Sequence, residues 1–281
     1  MNRFLNPDLG LTAAQISALR QSYGVTSPIW VQYLHTAGSF LTGNFGDSLE
    51  TGLPVTTLIL TSLPNTLVLA AFGLLFGVVL AVGIAFLSSL TPFAWLRGLL
   101  QALPSLFVAV PVFWLGIMLI QIFSFQLRWV PIITTNPVQA LVLPVITIAI
   151  PISAPLAQVL VRSIDDTKLS PFVSVIAAKG ASPRWILVRD VARNAVLPAI
   201  TIAGLLFGEL IGSAIVTETV YGRTGLGRVT AAAVASQDAP VVEAVVVISA
   251  AVYVVVNLIV DLLYPVLDPR LRRRGLSGEA A

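Results

Sequence analysis

The stretch 53–96 contains no charged residue, and it restricts the possible folds of this chain more than any other feature. About 20 consecutive apolar residues cross the hydrocarbon core of a bilayer as a helix, so the stretch predicts a membrane span at about 64–87. The chain as a whole is also strongly apolar: 57% of its residues are hydrophobic and 10% are charged, whereas a soluble domain carries about 25% charged residues. We therefore predict an all-α integral membrane protein.

Four further apolar stretches have the length of a membrane span, which predicts a bundle of about five transmembrane helices. They cover about 99–125, 138–161, 196–217 and 241–265. Pro104 and Pro111 fall inside the second span, and each removes a backbone donor, so we expect a kink or a break there. Several prolines in the third span predict a bent helix for the same reason.

The polar residues lie mainly outside these spans. Residues 1–57 predict a small external helical cap, in which Ser27 and Pro28 begin a helix that runs to about Leu41. Residues 58–268 form the predicted transmembrane domain, and 269–281 form a basic tail. A charged stretch over 162–195 interrupts the domain between the third and fourth spans.

Glycines recur at every fourth position in two of the spans, which places them on one face of each helix. Gly73 and Gly77 lie in the first span, and Gly204, Gly208 and Gly212 lie in the fourth. Small residues let two membrane helices approach closely. We therefore predict that these glycines are helix-packing positions.

Two spans carry polar side chains at membrane depth. Glu209 lies next to the glycines of the fourth span. Tyr253, Asn257 and Asp261 share one face of the fifth. A charge at the membrane centre costs about 2.5 to 3.5 kcal/mol on insertion scales, so Glu209 is expected to face protein or water. Two interpretations stay open for all four residues: they line a translocation pathway, or they form hydrogen bonds between helices.

The charged stretch contains the best-defined local signals of the chain. Ser170 and Pro171 have the character of an N-cap and a first turn, and Gly180 ends the short helix that they begin. Ala177, Ala178 and Gly180 are small enough for another protein to come close to the backbone. We therefore predict a short helix at the membrane surface that contacts a partner.

The distribution of Lys and Arg predicts the orientation of the chain. Five of the 16 lie on the side of residues 1–57, and the other eleven lie on the side of the charged stretch and the C-terminal tail. The positive-inside rule then places the charged stretch and the C-terminus in the cytoplasm. A polar cap would have to cross the membrane with no hydrophobic segment ahead of it, so we expect that an upstream transmembrane helix is missing from this sequence.

The residue inventory argues against several classes of site. Cysteine is absent, and the single histidine, His35, leaves little for metal or triad chemistry. The only lysines, Lys168 and Lys179, follow Thr167 and Ala178, so the Gly-Lys-Ser/Thr of a nucleotide-binding loop is missing. The net charge of +3 is small and comes from scattered residues, whereas a nucleic-acid-binding protein needs a basic face. We expect no catalytic residue, no metal, no cofactor and no enzymatic activity in this chain.

Motifs along nearly the whole chain resemble those of one family. They are YGVTSPIWVQYL and GNFG in the cap, PVFWLG at 111–116, AAKG and ARNAVLP in the charged stretch, ETVYGRTGLGR at 218–228, and NLIVDLLYPVLDPRLR near the end. Their order resembles that of permease subunits of binding-protein-dependent ABC importers of the dipeptide, oligopeptide and nickel type. The chain departs from that pattern by lacking the first span, by Ser174 in place of a glutamate and by Thr224 in place of a proline.

The resemblance implies that the short helix is a coupling helix, which docks into a cleft of an ATPase subunit and links the nucleotide cycle to inward- and outward-facing states. Its docking residues would be Phe172, Ile176, Ala177, Ala178, Lys179 and Gly180. The implied partners are a second similar permease, two ATPase subunits that bind ATP and Mg²⁺, an external solute-binding protein and the lipid bilayer of the bacterial inner membrane.

Small peptides are the substrate class that the resemblance favours. Nickel, glutathione or another small solute stays open, because specificity in such systems lies largely in the solute-binding protein. An ion-coupled secondary transporter or channel that uses Glu209 and Asp261 is a further alternative. An intramembrane hydrolase would need a nucleophile with a base, or metal ligands, at membrane depth, and the spans carry no such pair.

Overall fold

The computed structural model describes residues 28–134 and 136–267. Within these ranges the chain is helical and contains no strand, which confirms the predicted all-α fold. Residues 1–27 of the predicted cap and the predicted basic tail over 269–281 lie outside the described residues.

Nine helices follow one another along the described residues. In chain order they are α1 (Ile29–Leu41), α2 (Val55–Leu90), α3 (Ala94–Ala109), α4 (Val112–Gln126), α5 (Pro137–Lys168), α6 (Pro171–Ala178), α7 (Pro183–Val220), α8 (Leu226–Ala235) and α9 (Ala239–Leu267). α2, α5, α7 and most of α9 are long and apolar enough to cross a membrane, and α3 with α4 would make one more span. The prediction of about five spans is therefore confirmed.

The membrane helices extend beyond the predicted apolar spans. α2 begins at Val55 rather than at residue 64, so Pro64 and the predicted boundary between cap and transmembrane domain both lie inside it. α5 continues to Lys168, past the predicted end at residue 161. α5 carries the exposed charged residues Arg162, Asp165 and Asp166 in its last turns, because a helix that leaves the membrane can place charges on its solvated face.

The second predicted span is broken at Pro111, which confirms the predicted interruption. α3 and α4 meet at an angle of 104°. Val110 has extended backbone angles of φ −91° and ψ 120°, because the ring of the following proline disfavours a helical conformation at this position. Pro104 lies inside α3 without ending it.

The connection over 218–240, between the fourth and fifth predicted spans, is largely helical. α7 continues through Glu218 to Val220, and α8 occupies most of the remainder. α7 ends at a turn in which Gly222 has a φ of +62°, a conformation that glycine adopts without steric cost. The helix therefore ends where the backbone turns, several residues after the apolar segment.

The interior of the bundle is formed by α2, α5 and α7. Buried side chains from the three helices meet there, among them Leu69, Ile148 and Leu210. α6 and α9 add partly buried residues to the outside of this main cluster. The position of α6, next to the last residues of α5, marks one end of the bundle.

A second apolar cluster, which we call the distal cluster, lies at the end of the bundle opposite α6. It joins the starts of α2 and α9 to α8 and contains the buried residues Val55, Ile59, Leu226, Ala233, Val241, Ala244 and Val245. Asp238, which precedes α9, connects this end to the loop before α2. Its carboxylate accepts hydrogen bonds from the Ser48 hydroxyl at 2.5 Å and from the Glu50 N–H at 3.3 Å.

The two glycines of α2 lie against α5. A Cβ atom on Gly73 would come within 2.9 Å of Ile148 Cγ2, and one on Gly77 would come within 3.2 Å of Ile152 Cγ2. These distances are shorter than an ordinary contact between carbon atoms. The absence of a side chain therefore sets how closely α2 and α5 approach.

The glycines of α7 differ from one another. A Cβ atom on Gly204 would lie 2.9 Å from Val260 Cγ1, and one on Gly208 would lie 2.8 Å from the Tyr253 ring, so both face α9. Around Gly212, by contrast, none of the described residues lies within 4 Å of the Cβ position. Gly212 is therefore not a close-packing position against the described part of the chain.

We predict that Gly73→Ala destabilises the bundle and that Gly83→Ala, in the same helix, does not. The added methyl group at residue 73 overlaps Ile148, and overpacking of this kind costs about 1–3 kcal/mol. At Gly83 no described residue lies within 4 Å of the Cβ position, so alanine is expected to stabilise the helix by about 0.5–1 kcal/mol. Thermal unfolding of the two variants in detergent measures the difference, and equal midpoints would contradict it.

Candidate functional site

The connection between α5 and α7 forms a compact helical loop at one end of the bundle. Ser170 has an extended backbone and Pro171 occupies the first turn of α6, as predicted. Gly180 follows the helix with a φ of +87°, which favours glycine. Ser182 then caps the start of α7, where its hydroxyl accepts a hydrogen bond from the Trp185 N–H at 3.3 Å.

α6 turns one side to the bundle and another to the surroundings. Val173 and Ile176 pack against the main cluster, whereas Phe172 is 40% exposed and Val175 is 54% exposed. The remaining predicted docking residues, which are Ala177, Ala178, Lys179 and Gly180, are all exposed. The result is an apolar surface flanked by charged side chains at the end of the bundle.

The start of this loop is attached to the turn between α2 and α3. The Lys168 ammonium group donates hydrogen bonds to the Ser89 hydroxyl and to the Ser89 carbonyl, the latter at 3.3 Å. Arg97 Nη2 donates to the carbonyl of Thr91 in the same turn, at 3.1 Å. α6 is therefore connected to three spans: α5 and α7 through the backbone, and α2 through Lys168.

Glu209 lies near the middle of α7 with an exposed side chain. Leu205 precedes it, and Gly212 and Val216 follow it, at helical spacing; all three are exposed as well, so the four residues form one stripe along α7. A carboxylate on the outer surface of a membrane helix is disfavoured in lipid. This stripe therefore suits contact with water or with another protein.

The polar residues of α9 are placed differently from Glu209. The ring of Tyr253 packs on Gly208, and the Asn257 amide donates a hydrogen bond to the Tyr253 carbonyl within the same helix, at 2.9 Å. Both residues are partly buried. Asp261 lies in α9, and its side chain is outside the described part of the structure.

The distal end contains a buried carboxylate that the sequence analysis did not identify. Glu218, near the end of α7, is 1% exposed. Its Oε1 accepts a hydrogen bond from the Thr66 hydroxyl at 2.7 Å, and its Oε2 accepts one from the Gly227 N–H at 2.6 Å. Thr66 Oγ1 in turn accepts a hydrogen bond from the Leu226 N–H at 2.8 Å. Side chains from α7 and α2 thus bind the first two N–H groups of α8.

Two glycines make room for this carboxylate. A Cβ atom on Gly225 would lie 2.2 Å from Glu218 Oε1, and one on Gly227 would lie 2.5 Å from the Ile215 Cα. Any other residue at either position would displace Glu218 or α8. An acidic residue at the end of a span, followed by two closely spaced glycines, was the sequence signal that could have identified this arrangement.

The turn between α7 and α8 is also bonded to α5 through Arg223. Pro144 has no N–H to donate to the carbonyl of Ala140, and Arg223 Nη1 donates to that carbonyl at 2.8 Å. Burial lowers the pKa of Arg223, while the carboxylate of Glu218 opposes this shift. The guanidinium group stays charged at neutral pH, because an arginine does not lose its proton in proteins.

Tyr221 joins the same turn to α4 and α5. Its hydroxyl lies 2.9 Å from Thr147 Oγ1 and 3.3 Å from the carbonyl of Gly116. Burial raises the pKa of Tyr221 to about 12, so the phenol remains a donor. Within the described residues there is no group of three or more His, Asp or Glu side chains that could hold a metal ion.

Comparison with known proteins identifies the family. A family model described as "binding-protein-dependent transport system inner membrane component" matches residues 73–273. The chain is similar to the probable peptide ABC transporter permease protein y4tP of Sinorhizobium fredii, with 32% identity over 269 residues that cover 93% of this chain and 86% of the relative. It is also similar to the glutathione transport system permease protein GsiC of Salmonella typhimurium, with 32% identity over 260 residues, or 92% and 85% of the two chains.

Two solved structures share the fold. One is an inward-facing conformation of the MetNI methionine ABC transporter, with a TM-score of 0.62 and 19% identity over 75% of this chain and 96% of that chain. The other is an amino acid ABC transporter, with a TM-score of 0.54 and 18% identity over 76% and 94%. This chain therefore belongs to the family of binding-protein-dependent transport system inner membrane components and is a permease subunit of a binding-protein-dependent ABC importer.

Proposed function

We propose that this permease forms, with a second similar permease, the membrane pathway for small peptides. The observation that carries the proposal is the similarity, over 93% of the chain, to a relative named as a probable peptide permease. A relative named for glutathione transport supports the same class, because glutathione is a modified tripeptide. Membership in an ABC importer family decides against the ion-coupled transporter or channel that the sequence left open.

ATP hydrolysis, in this proposal, takes place on two separate ATPase subunits that bind ATP and Mg²⁺, and an external solute-binding protein delivers the peptide. The ATPase contact is the exposed surface of α6. Phe172 and Val175 are large apolar side chains that face away from the bundle, and such residues in the centre of an interface carry much of the binding energy. Gly180 supports this surface by allowing the turn that follows α6.

We predict that Val175→Asp prevents assembly with the ATPase subunits. A carboxylate buried without a partner in an apolar contact is expected to weaken binding by about 2 kcal/mol or more, which is roughly thirtyfold. Co-purification of the ATPase subunits with the tagged permease measures the effect. The matched control is Val234→Asp, because Val234 is 59% exposed at the distal end. Equal recovery of ATPase with both variants would contradict the role of α6.

The orientation follows from the charges. Eleven of the 16 Lys and Arg residues lie on the α6 side of the membrane when five spans are counted. We propose that this side, with α6 and the C-terminus, is cytoplasmic and that α1 and the distal cluster are extracytoplasmic. The membrane is then the bacterial inner membrane, where the solute-binding protein meets the distal end.

Single cysteines test this orientation, because the chain has no cysteine of its own. Both Val234 and Asp165, which lies near the end of α5 and outside the proposed docking residues, are exposed in the structure. In intact cells, a membrane-impermeant maleimide is expected to label Val234→Cys, whereas Asp165→Cys reacts only after the cells are permeabilised. The opposite pattern would reverse the proposed orientation.

Glu209 is the residue that we place on the wall of the pathway. Its side chain is exposed near the middle of α7, where contact with lipid would cost about 2.5 to 3.5 kcal/mol. A peptide carries an ammonium group, and a carboxylate on the pathway would stabilise that charge as it leaves bulk water. Tyr253 and Asn257, by contrast, pack on or bond to residues of this chain, so we do not assign them or Asp261 to the pathway wall.

The test is peptide uptake by proteoliposomes that contain the assembled importer and its solute-binding protein. We expect ATP-dependent uptake of dialanine. Glu209→Gln is expected to reduce it by about tenfold, the effect of losing a hydrogen bond to a charged group, with less than about a twofold change for N-acetyl-dialanine, which has no ammonium group.

Glu243→Gln is the control for this experiment, because Glu243 is an exposed carboxylate in the first turns of α9, away from the middle of the span. Uptake of nickel but not of either peptide would contradict the proposed substrate class. An equal fall in the uptake of dialanine and of its acetylated form by Glu209→Gln would contradict the proposed role of Glu209 without contradicting the proposed peptide pathway.

A further inference from the structure

The N-terminus of α8 is bound by side chains of two other helices. The residue at its N-cap position, Gly225, has no side chain that could accept a hydrogen bond. Thr66 and Glu218 accept hydrogen bonds from the first two N–H groups instead. A helix start normally leaves such groups unpaired unless a cap or water accepts them. The carboxylate also interacts favourably with the positive end of the α8 dipole.

We propose that Glu218 is a positioning residue for transport, which fixes α8 and the distal cluster to α7. The inference rests on the proposed function. α7 begins at Pro183, beside the ATPase-docking loop, and ends at Val220, so a single helix connects that loop to Glu218. A displacement of α7 is then passed to α8 through short hydrogen bonds to a buried carboxylate, which are stronger than bonds between neutral groups.

The other end of α8 has a different attachment. The Asp238 N–H donates to the Ala233 carbonyl at 2.8 Å, and the Asp238 side chain binds Ser48 and Glu50 ahead of α2. That end is thereby connected to the loop before α2. Glu218 hydrogen-bonds the start of α8 to α7, in addition to the close contact of Gly227 with Ile215 and the backbone turn at Gly222.

The residues near Glu218 in the sequence include a glycine that this contact requires. Gly225 approaches the carboxylate so closely that a methyl group would overlap it, and its φ of −164° is open to every residue type. Glycine is therefore required at this position because the carboxylate lies so close, and not because of the backbone conformation. Glu218, Gly225 and Gly227 act as one unit, with Thr66 as the second acceptor.

The test compares Thr66→Val with Thr66→Ser in the assembled importer. Valine has nearly the shape of threonine but cannot bind Glu218 or the Leu226 N–H, whereas serine keeps the hydroxyl. The readout is the rate at which a maleimide labels Ala233→Cys in nanodiscs, where both membrane faces are accessible. Ala233 is buried in the distal cluster, and no natural cysteine competes for the label.

Thr66→Val is expected to raise the labelling rate by about tenfold, the factor that corresponds to losing a hydrogen bond to a charged group. Peptide uptake is expected to fall by about tenfold, while ATP hydrolysis by the assembled importer changes by less than about twofold. Thr66→Ser is expected to match the parent protein in all three measurements. Gly227→Ala, whose added methyl group overlaps Ile215, is expected to reproduce the effects of Thr66→Val.

Equal labelling and uptake in the valine and serine variants would overturn the proposal. A parallel fall of protein level, ATP hydrolysis and uptake in Thr66→Val would overturn it as well, since it would show a general requirement for stability. If the parent importer takes up no peptide, the proposed substrate is wrong, and the labelling contrast still tests the position of α8. A control variant, Thr61→Val, changes an exposed hydroxyl that bonds only within α2 and is expected to behave as the parent.

Discussion

An unpaired polar group in apolar surroundings costs several kcal/mol, and this constraint accounts for the main polar attachments between the described helices. The carbonyl that Pro144 leaves without a helical donor is bound by Arg223. The N–H groups at the start of α8 are bound by Thr66 and Glu218. In each case a polar side chain of one helix compensates for an interruption in another, so the interruption itself becomes a point of attachment.

Both of these attachments lie at the distal end, and the hydrogen bond from Lys168 to the Ser89 carbonyl is a polar attachment at the α6 end. The middle of the bundle depends instead on close apolar packing. Between α2 and α5 the contact depends on Gly73 and Gly77 against isoleucine side chains. Apolar contacts of this kind have no preferred direction, whereas hydrogen bonds at the ends fix angle and register. The arrangement suits a subunit whose helices must shift against each other in the membrane while their ends remain connected to defined partners.

The membrane helices and α6 could be predicted from the sequence because each depends on neighbouring residues. An apolar stretch of span length, a Ser-Pro start and a glycine stop are local signals, and Pro111 acts on the residue directly before it. Helix ends were less predictable, since α2 begins at Val55, before the predicted span, and α5 continues past the end of its apolar stretch.

The contact between Thr66 and Glu218 joins residues 152 positions apart, and no local pattern reveals such a pair. Glu209 is recognisable in the sequence because it interrupts an apolar stretch. Its exposed side chain is consistent with a position on a pathway wall and with a hydrogen bond to a helix of another subunit. Glu218 lies where the apolar stretch ends, so it looked like an ordinary loop residue. Its burial becomes evident only when α2, α7 and α8 are seen together.

α7 connects these features in a way that no other helix of the described chain does. It starts at the loop that carries α6, bears Glu209 near its middle and presents Glu218 at its far end. The π-helical turns at Leu187–Val191 and Pro198 both lie in its first part, whereas the part from 199 to 220, which bears Glu209 and Glu218, contains no proline. In our proposal, this second part of α7 moves as one unit, so that a displacement of the helix reaches Glu209 and the distal cluster together. The glycines at 225 and 227 then let α8 follow α7 directly, because they allow the carboxylate to lie against the start of α8.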